Sequence, residues 1–208
     1  MAEKSFIQSN SLCIIMRMLE KIKALYYSDS FMGGLPRDVV SVLTLLAVLL
    51  LISRIFLGLW VPIVAVESGS MISHIQIGDN IILESADRKE VITYTEGKQK
   101  GYTSFDDYGD VILYKPYGRE DATPIIHRAM YFVEKDTPMW EGGPLAPHAG
   151  YITKGDNSKT NPSYDQKGSI SYLQPVKKEW VVGMARFVRI PVTGCASLIL
   201  RGNLACFK

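Results

Sequence analysis

Pro62-Ile63-Val64-Ala65-Val66-Glu67-Ser68-Gly69-Ser70-Met71 is the stretch on which the reading of this chain turns. A β-branched run, readable as a strand, ends in a Ser-Gly-Ser corner, and Gly78-Asp79 follows a few residues later. Glycine beside a serine at a strand end lets the hydroxyl stand exposed with the backbone N–H aimed outward, the presentation a nucleophile requires. Directly before the strand lies an apolar segment of membrane length. An apolar span leading into β-rich chain sets the expected architecture: one transmembrane helix followed by a mostly β domain.

Upstream, Val39 to Leu59 reads VVSVLTLLAVLLLISRIFLGL. About 21 residues at ~1.5 Å each match the ~30 Å hydrocarbon core of a bilayer. Arg54 is its single charge, near the far end, where a long side chain reaches the interface. The segment starts too far into the chain, and is too long, for a cleaved secretory signal. Before it, Leu12, Ile15, Met16, Leu19, Ile22 and Tyr26 fall at helical spacing within Ser11 to Tyr27, flanked by Arg17, Lys21 and Lys23. That stripe fits a helix lying on an anionic membrane face, or a loosely packed amphipathic leader. Gly33-Gly34 and Pro36 are expected to end it in a hinge. Lys21, Lys23 and Arg37 precede the span closely, whereas after Arg54 no lysine or arginine appears until Arg88. The positive-inside rule places the N-terminus in the cytoplasm and the chain beyond the span outside. The expected layout is a cytoplasmic segment over 1–37, a transmembrane helix over 38–60, an extracytoplasmic β-rich domain over 61–190 and a tail over 191–208. The tail is apolar in patches and reads as an interfacial segment rather than a second crossing.

The 208 residues suffice for one domain of ~120–150 residues plus an appendage. A net charge of +2 gives no basic field, so nucleic acid is not an expected partner. Cys13, Cys195 and Cys206 are odd in number and spread out, and neither a disulfide framework nor a zinc site is expected. No metal or organic cofactor is suggested.

Beyond the span, β-rich runs bounded by Gly, Pro, Asn and Asp cover Ile81–Glu84, Val91–Thr95, Asp110–Tyr114, Pro124–Glu134, Gly150–Lys154 and Val181–Ile190. They read as an all-β sandwich or barrel-like domain. Residues Ser85 to Tyr108 read as a polar surface excursion. Four motifs follow in order: Ser68-Gly69-Ser70-Met71, then Gly109-Asp110-Val111-Ile112-Leu113-Tyr114, then Ile125-Ile126-His127-Arg128, then Thr153-Lys154-Gly155-Asp156-Asn157, with Asp165 behind the last. A serine, a histidine and an aspartate on separate strand ends suit a nucleophile, its base and an orienting acid. Residue types alone leave that convergence open. His127 equally suits a satisfied core histidine, and Lys115 or Lys154 would be the base if lysine served. His74 reads as an exposed turn residue, His148 as a loop residue, and Asp79 and Asp110 as turn scaffold.

The ordered set SGSM after an N-terminal span, GDVILY, IIHR and TKGDN resembles the type I signal peptidase family, in its archaeal and endoplasmic-reticulum branch. The resemblance covers roughly residues 39–191. It implies a signal-peptidase-like β domain and a membrane-anchored serine endopeptidase that removes N-terminal signal peptides from exported preproteins, cutting after small residues. It implies Ser70 as nucleophile, His127 as general base where the bacterial branch carries a lysine, and the Ser68 hydroxyl beside the Ser70 N–H as oxyanion donors. The branch places one aspartate in its GDN motif and another about six residues on. Asp156 matches the first; Pro162 stands at the second, and a three-residue insertion across Ser158–Ser163 would bring Asp165 there. Asp165 is thus the expected partner of His127 with Asp156 in support, the reverse assignment remaining open. Ser73 replaces a proline expected two residues after the methionine, which would leave the corner less stiff. The implied partners are preproteins, the lipid bilayer and, as a further candidate, the translocation machinery. The implied location is the cell membrane, or else the endoplasmic reticulum membrane.

Overall fold

In a computed structural model, the structure describes residues 20, 31–191, 193–203 and 205–207. The chain divides into two compact units, residues 1–52 and residues 53–208. Apart from residue 20, the amphipathic stripe of Ser11 to Tyr27 lies outside the described residues.

The first unit carries helix α1, Phe31–Phe56, whose final turn belongs to the second. Its stretch Arg37–Phe56 is long and apolar enough to cross a membrane, by length and composition, and little of it is buried. Gly33, Gly34 and Pro36 were expected to form a hinge, but α1 runs through them. Glycine and proline disfavour a helix interior by about 1 and 3 kcal/mol, a cost that the cooperative run of apolar helix formers after them outweighs. The helix also stops earlier than the apolar run does. Gly58 adopts a φ of +75°, the left-handed conformation that ends helices, and the Arg88 guanidinium donates to the carbonyls of Arg54 and Phe56 at 3.1 Å each. Arg54 itself donates to the Gly58 carbonyl rather than extending away.

The second unit is built on an antiparallel sheet. Its strands are β1 (Ile63–Ala65), β2 (Asn80–Glu84), β5 (Val111–Tyr114), β6 (Ile125–Val133), β7 (Gly150–Lys154) and β8 (Val181–Ile190), ordered β1-β2-β8-β5-β6-β7. A small hairpin, β3 (Thr103–Ser104) with β4 (Asp107–Tyr108), stands apart. The expected mostly β architecture is present, and five of the six runs read as strands fold as such, with ends moved by a residue at most.

The sixth does not. Val91–Thr95, rich in β-branched residues, leads into helix α2, Tyr94–Lys100. Thr93 accepts from the Glu96 N–H while the Glu96 carboxylate accepts from the Thr93 N–H, a reciprocal capping box. Thr93-Tyr94-Thr95-Glu96 carries that signature, and two satisfied helix-start donors outweigh the weak strand preference of valine, isoleucine and threonine. The hydrogen bonds that Glu96 accepts from Thr93 also hold its carboxyl below the usual range.

Because side chains alternate across a strand, the sheet packs a core on each face. One face carries Val66, Met71, Ile75, Ile81, Leu83, Val111, Leu113 and Ile126. The other carries Ile112, Tyr114, Ala129, Tyr151, Val176 and Met184. Met71, next to Ser70, is fully buried and anchors the corner in the first core.

The cysteine expectation is corrected. Cys195, on helix α3 (Gly194–Leu200), and Cys206 form a disulfide across an 11-residue separation. They pair because the tail folds back on itself against the Gly78 turn. A side chain at Gly78 would collide with both sulfurs, and the Gly194 N–H donates to the Gly78 carbonyl at 2.9 Å. Sulfur packing thus needs glycine here, in addition to the turn's φ of +83°.

Ser73, standing where proline would stiffen the turn, has a φ of +115°. Proline locks φ near −65° and cannot occupy this backbone, while any side chain here is strained by roughly 1–3 kcal/mol. Ser73→Gly is therefore expected to raise stability by about 1 kcal/mol and Ser73→Pro to lower it by more. Thermal melts of the two variants check this; equal stability of the proline variant and the parent would refute the strain.

Candidate active site

β6 sets the geometry. His127 and Arg128 are consecutive on it, so their side chains leave toward opposite faces of the sheet, and both are almost fully buried. Each meets an aspartate from the chain after β7.

On one face, His127 Nδ1 lies 2.7 Å from Asp165 Oδ2. A carboxylate only accepts, so Nδ1 carries a proton, and in the neutral ring Nε2 holds the lone pair. The same carboxylate oxygen accepts from the Thr153 hydroxyl at 2.6 Å and the Tyr114 hydroxyl at 2.9 Å. These positions follow from register: Tyr114 lies on β5 beside Ile125, Thr153 on β7 opposite Ala129, and both point to the His127 face. Gln166 adds a clamp, accepting from the Thr153 N–H at 3.0 Å. Burial, and then the neighbouring Asp165 carboxylate, push the Tyr114 phenol well above its usual range, so it stays a neutral donor. Burial likewise raises Tyr102 and carries Tyr151 to about 12. Asp165 thus accepts from three donors in a buried site, which fixes the orientation of the His127 imidazole.

On the other face, Arg128 grips Asp156 with two parallel bonds, Nε to Oδ1 at 2.9 Å and a terminal nitrogen to Oδ2 at 2.6 Å. Its other terminal nitrogen donates to the carbonyls of Ser104, Tyr108 and Gly109 at 2.9–3.1 Å, with Asp107 at 3.3 Å. Arg128 therefore pins the β3–β4 hairpin to the loop after β7. His74 was expected to be an exposed turn residue; it is mostly buried, and its Nδ1 lies 2.8 Å from Asp156 Oδ2. The corner folds back over the aspartate, which sequence spacing does not reveal.

The Ser-Gly-Ser corner sits on that same loop. The Asn157 N–H donates to the Ser70 carbonyl at 2.9 Å, its side-chain amide donates to the Gly69 carbonyl at 2.8 Å, and the Asp156 N–H points at the Met71 sulfur at 3.4 Å. A side chain at Gly155 would strike the Ser70 carbonyl, so the Thr-Lys-Gly-Asp-Asn glycine allows the approach. Ser70 is half-exposed and Ser68 exposed, and their hydroxyls lie 3.2 Å apart. Among the described residues, no hydrogen bond joins the Ser70 hydroxyl to His127, and none engages the Ser70 N–H.

The structure therefore joins His127 with Asp165, and Ser70 with the Asp156 loop. The two pairs are linked through the adjacent residues His127 and Arg128. Chemically, this couples an accessible hydroxyl and an unengaged backbone N–H to a scaffold holding an oriented imidazole. Tyr114, Thr153, Arg128 and His74 were not picked out from sequence as members of the site. The first three lie inside the quoted motifs, which was the available signal.

Asp79 and Asp110 serve as scaffold. Asp79 accepts from the Gln76 N–H at 2.7 Å; Asp110 accepts from the Ile92 N–H at 2.8 Å and also pairs with Arg186 at 2.7 Å. His148 contacts the Ala149 carbonyl and Gln174, away from these groups. Lys115 is engaged by Glu120. A cleft of about 840 Å³ lies alongside, lined by His74, Lys89, Tyr102, Ser104, Phe105 and Arg186 among others, but not by Ser70 or His127. No protein-family model and no curated protein matches this chain.

Proposed function

We propose that this chain is a membrane-anchored serine endopeptidase of the signal peptidase type, removing N-terminal signal peptides from exported preproteins after small residues. The observation that carries the reading is the buried His127–Asp165 pair, set one residue from the arginine that grips Asp156, whose neighbour Asn157 bonds the Ser70 corner. Together with the order of the four motifs, it supports His127 as base and Asp165 as its orienting acid, with Ser70 as the proposed nucleophile.

In the proposed cycle the Ser70 hydroxyl leaves Ser68 and turns toward His127. Nε2 takes its proton as Oγ attacks the scissile carbonyl carbon. The resulting oxyanion is met by the Ser70 N–H and the Ser68 hydroxyl, which lies close enough to serve. The imidazolium, stabilised by Asp165, then protonates the leaving amine, and water hydrolyses the acyl-enzyme by the reverse proton path. Asp156 acts on the corner rather than on His127, because its oxygens are taken by Arg128 and His74.

Substrate access follows from β1, an edge strand whose neighbour lies on one side only. An extended peptide can add to it by main-chain hydrogen bonds. The membrane-length helix would hold the site near the bilayer, where signal peptides emerge, and raise the effective substrate concentration. The Cys195–Cys206 disulfide supports an oxidising, extracytoplasmic setting for the second unit.

The test is cleavage of a preprotein bearing an Ala-x-Ala site by the purified full-length chain in detergent, with the new N-terminus sequenced. A single cut after the small residue is expected, and an intact preprotein with well-folded enzyme would reject the reading. Asp165→Asn is expected to lose on the order of 10³–10⁴ in turnover, because the imidazole loses its orienting acceptor. Asp156→Asn should lose far less; the opposite ranking would exchange the two roles.

A further inference from the structure

His74 occupies an unusual place. It lies four residues beyond Ser70, its backbone N–H closing a turn onto the Met71 carbonyl at 3.1 Å, yet its side chain reaches an aspartate 82 positions later. Among the described residues, four hydrogen bonds join the corner from Gly69 to His74 to the 155–157 loop. Three are made by backbone or sulfur: the Gly69 carbonyl, the Ser70 carbonyl and the Met71 sulfur. The fourth, His74 Nδ1 to Asp156 Oδ2, is a contact between two side chains and so depends on both residue types.

We propose that His74 is a positioning residue: a strut from the corner to Asp156 that fixes where the Ser70 hydroxyl sits. Two facts make it rigid at its far end. Asp156 is held bidentately by Arg128, and Arg128 is itself anchored by backbone carbonyls of the β3–β4 hairpin. The near end needs such support, because Ser73 immediately before His74 is in a strained conformation that relaxes if nothing holds the chain past it. The groups around His74 are Asp156 and Arg128 from the sheet side, and Lys89, Tyr102, Asp106 and Arg186 lining the shared cleft. Of these, Asp156 makes the close contact, and the strut requires only that Nδ1 donate to it. An asparagine amide places a donor near the position of Nδ1, whereas leucine retains bulk and removes the donor.

The role in turnover rests on the protease reading, but the strut itself does not, so two measurements separate them. The first is hydrogen exchange of the amides from residue 69 to 75 in the full-length protein in detergent. His74→Leu is expected to speed exchange there about tenfold, the worth of one hydrogen bond to a charged group, with exchange of β5 and β6 unchanged. His74→Asn is expected to restore protection to within about threefold. The second is preprotein cleavage, where His74→Leu is expected to lower kcat about 10- to 100-fold with KM within about twofold, since a displaced nucleophile affects the reacting state and not binding. Parental exchange in His74→Leu, or no recovery in His74→Asn, overturns the strut. A parent enzyme that cuts no preprotein rejects the protease reading while the exchange comparison still decides the strut.

Discussion

Ser70→Ala and His127→Ala are each expected to abolish preprotein cleavage, with turnover falling on the order of 10⁴–10⁶, and the double variant is expected to be no worse than either alone. The reasoning is chemical. Alanine at 70 leaves no nucleophile, and the Ser68 hydroxyl, on the far side of Gly69, lacks the carbonyl anchoring that Asn157 gives to the Ser70 backbone. Alanine at 127 removes the proposed base, the imidazole that Asp165 orients, while Lys115 is taken up by Glu120. The two act as a unit, which is why their losses should not add. Thermal unfolding of both variants beside the cleavage assay guards against misfolding. Ser70 is half-exposed and should leave the melt unchanged, whereas His127→Ala empties a buried site and should lower it modestly. Residual cleavage by His127→Ala within about tenfold of the parent would assign the base elsewhere.

Arg128→Met is the substitution expected to harm stability most. The side chain is buried and makes its bonds to a nearly buried carboxylate and to the backbone carbonyls of Ser104, Tyr108 and Gly109. Removing one partner of a buried ion pair leaves the other uncompensated, typically at about 3–5 kcal/mol. For a domain of this size that is a fall in Tm on the order of 10 °C. Arg128→Lys should recover little, because an ammonium cannot span both oxygens of Asp156 while also reaching the hairpin. Asp156→Leu combined with Arg128→Met should lie closer to the parent than Arg128→Met alone, since no buried charge is then stranded. A Tm within about 2 °C of the parent for Arg128→Met would show that the network contributes little.

How much of this was legible beforehand depends on the range of the interaction. The membrane-length helix follows from an apolar run of bilayer length, and the β-rich character of the second unit and five of its strands follow from β-branched runs bounded by turn formers. The helix at Tyr94–Lys100 was also written locally, in the Thr93–Glu96 box, but weighed less than the β-branched run around it. The Cys195–Cys206 pairing had short spacing as its signal, yet it depends on the tail turning back against Gly78, which no local pattern expresses.

From sequence alone came the helix, the strands, the motif residues and the choice of Ser70, His127 and two aspartates as the chemistry-bearing set. Only the tertiary structure divided the aspartates between their partners. Successive residues of β6 point to opposite faces, so His127 meets Asp165 while Arg128 meets Asp156, and the loop after β7 that carries both is long enough to serve either side. Folding also made His74 part of the site, because a turn strained at Ser73 brings it onto a carboxylate 82 residues away. Spacing along a chain cannot encode such a meeting; it is set by which face each strand residue takes and how the connecting loops return.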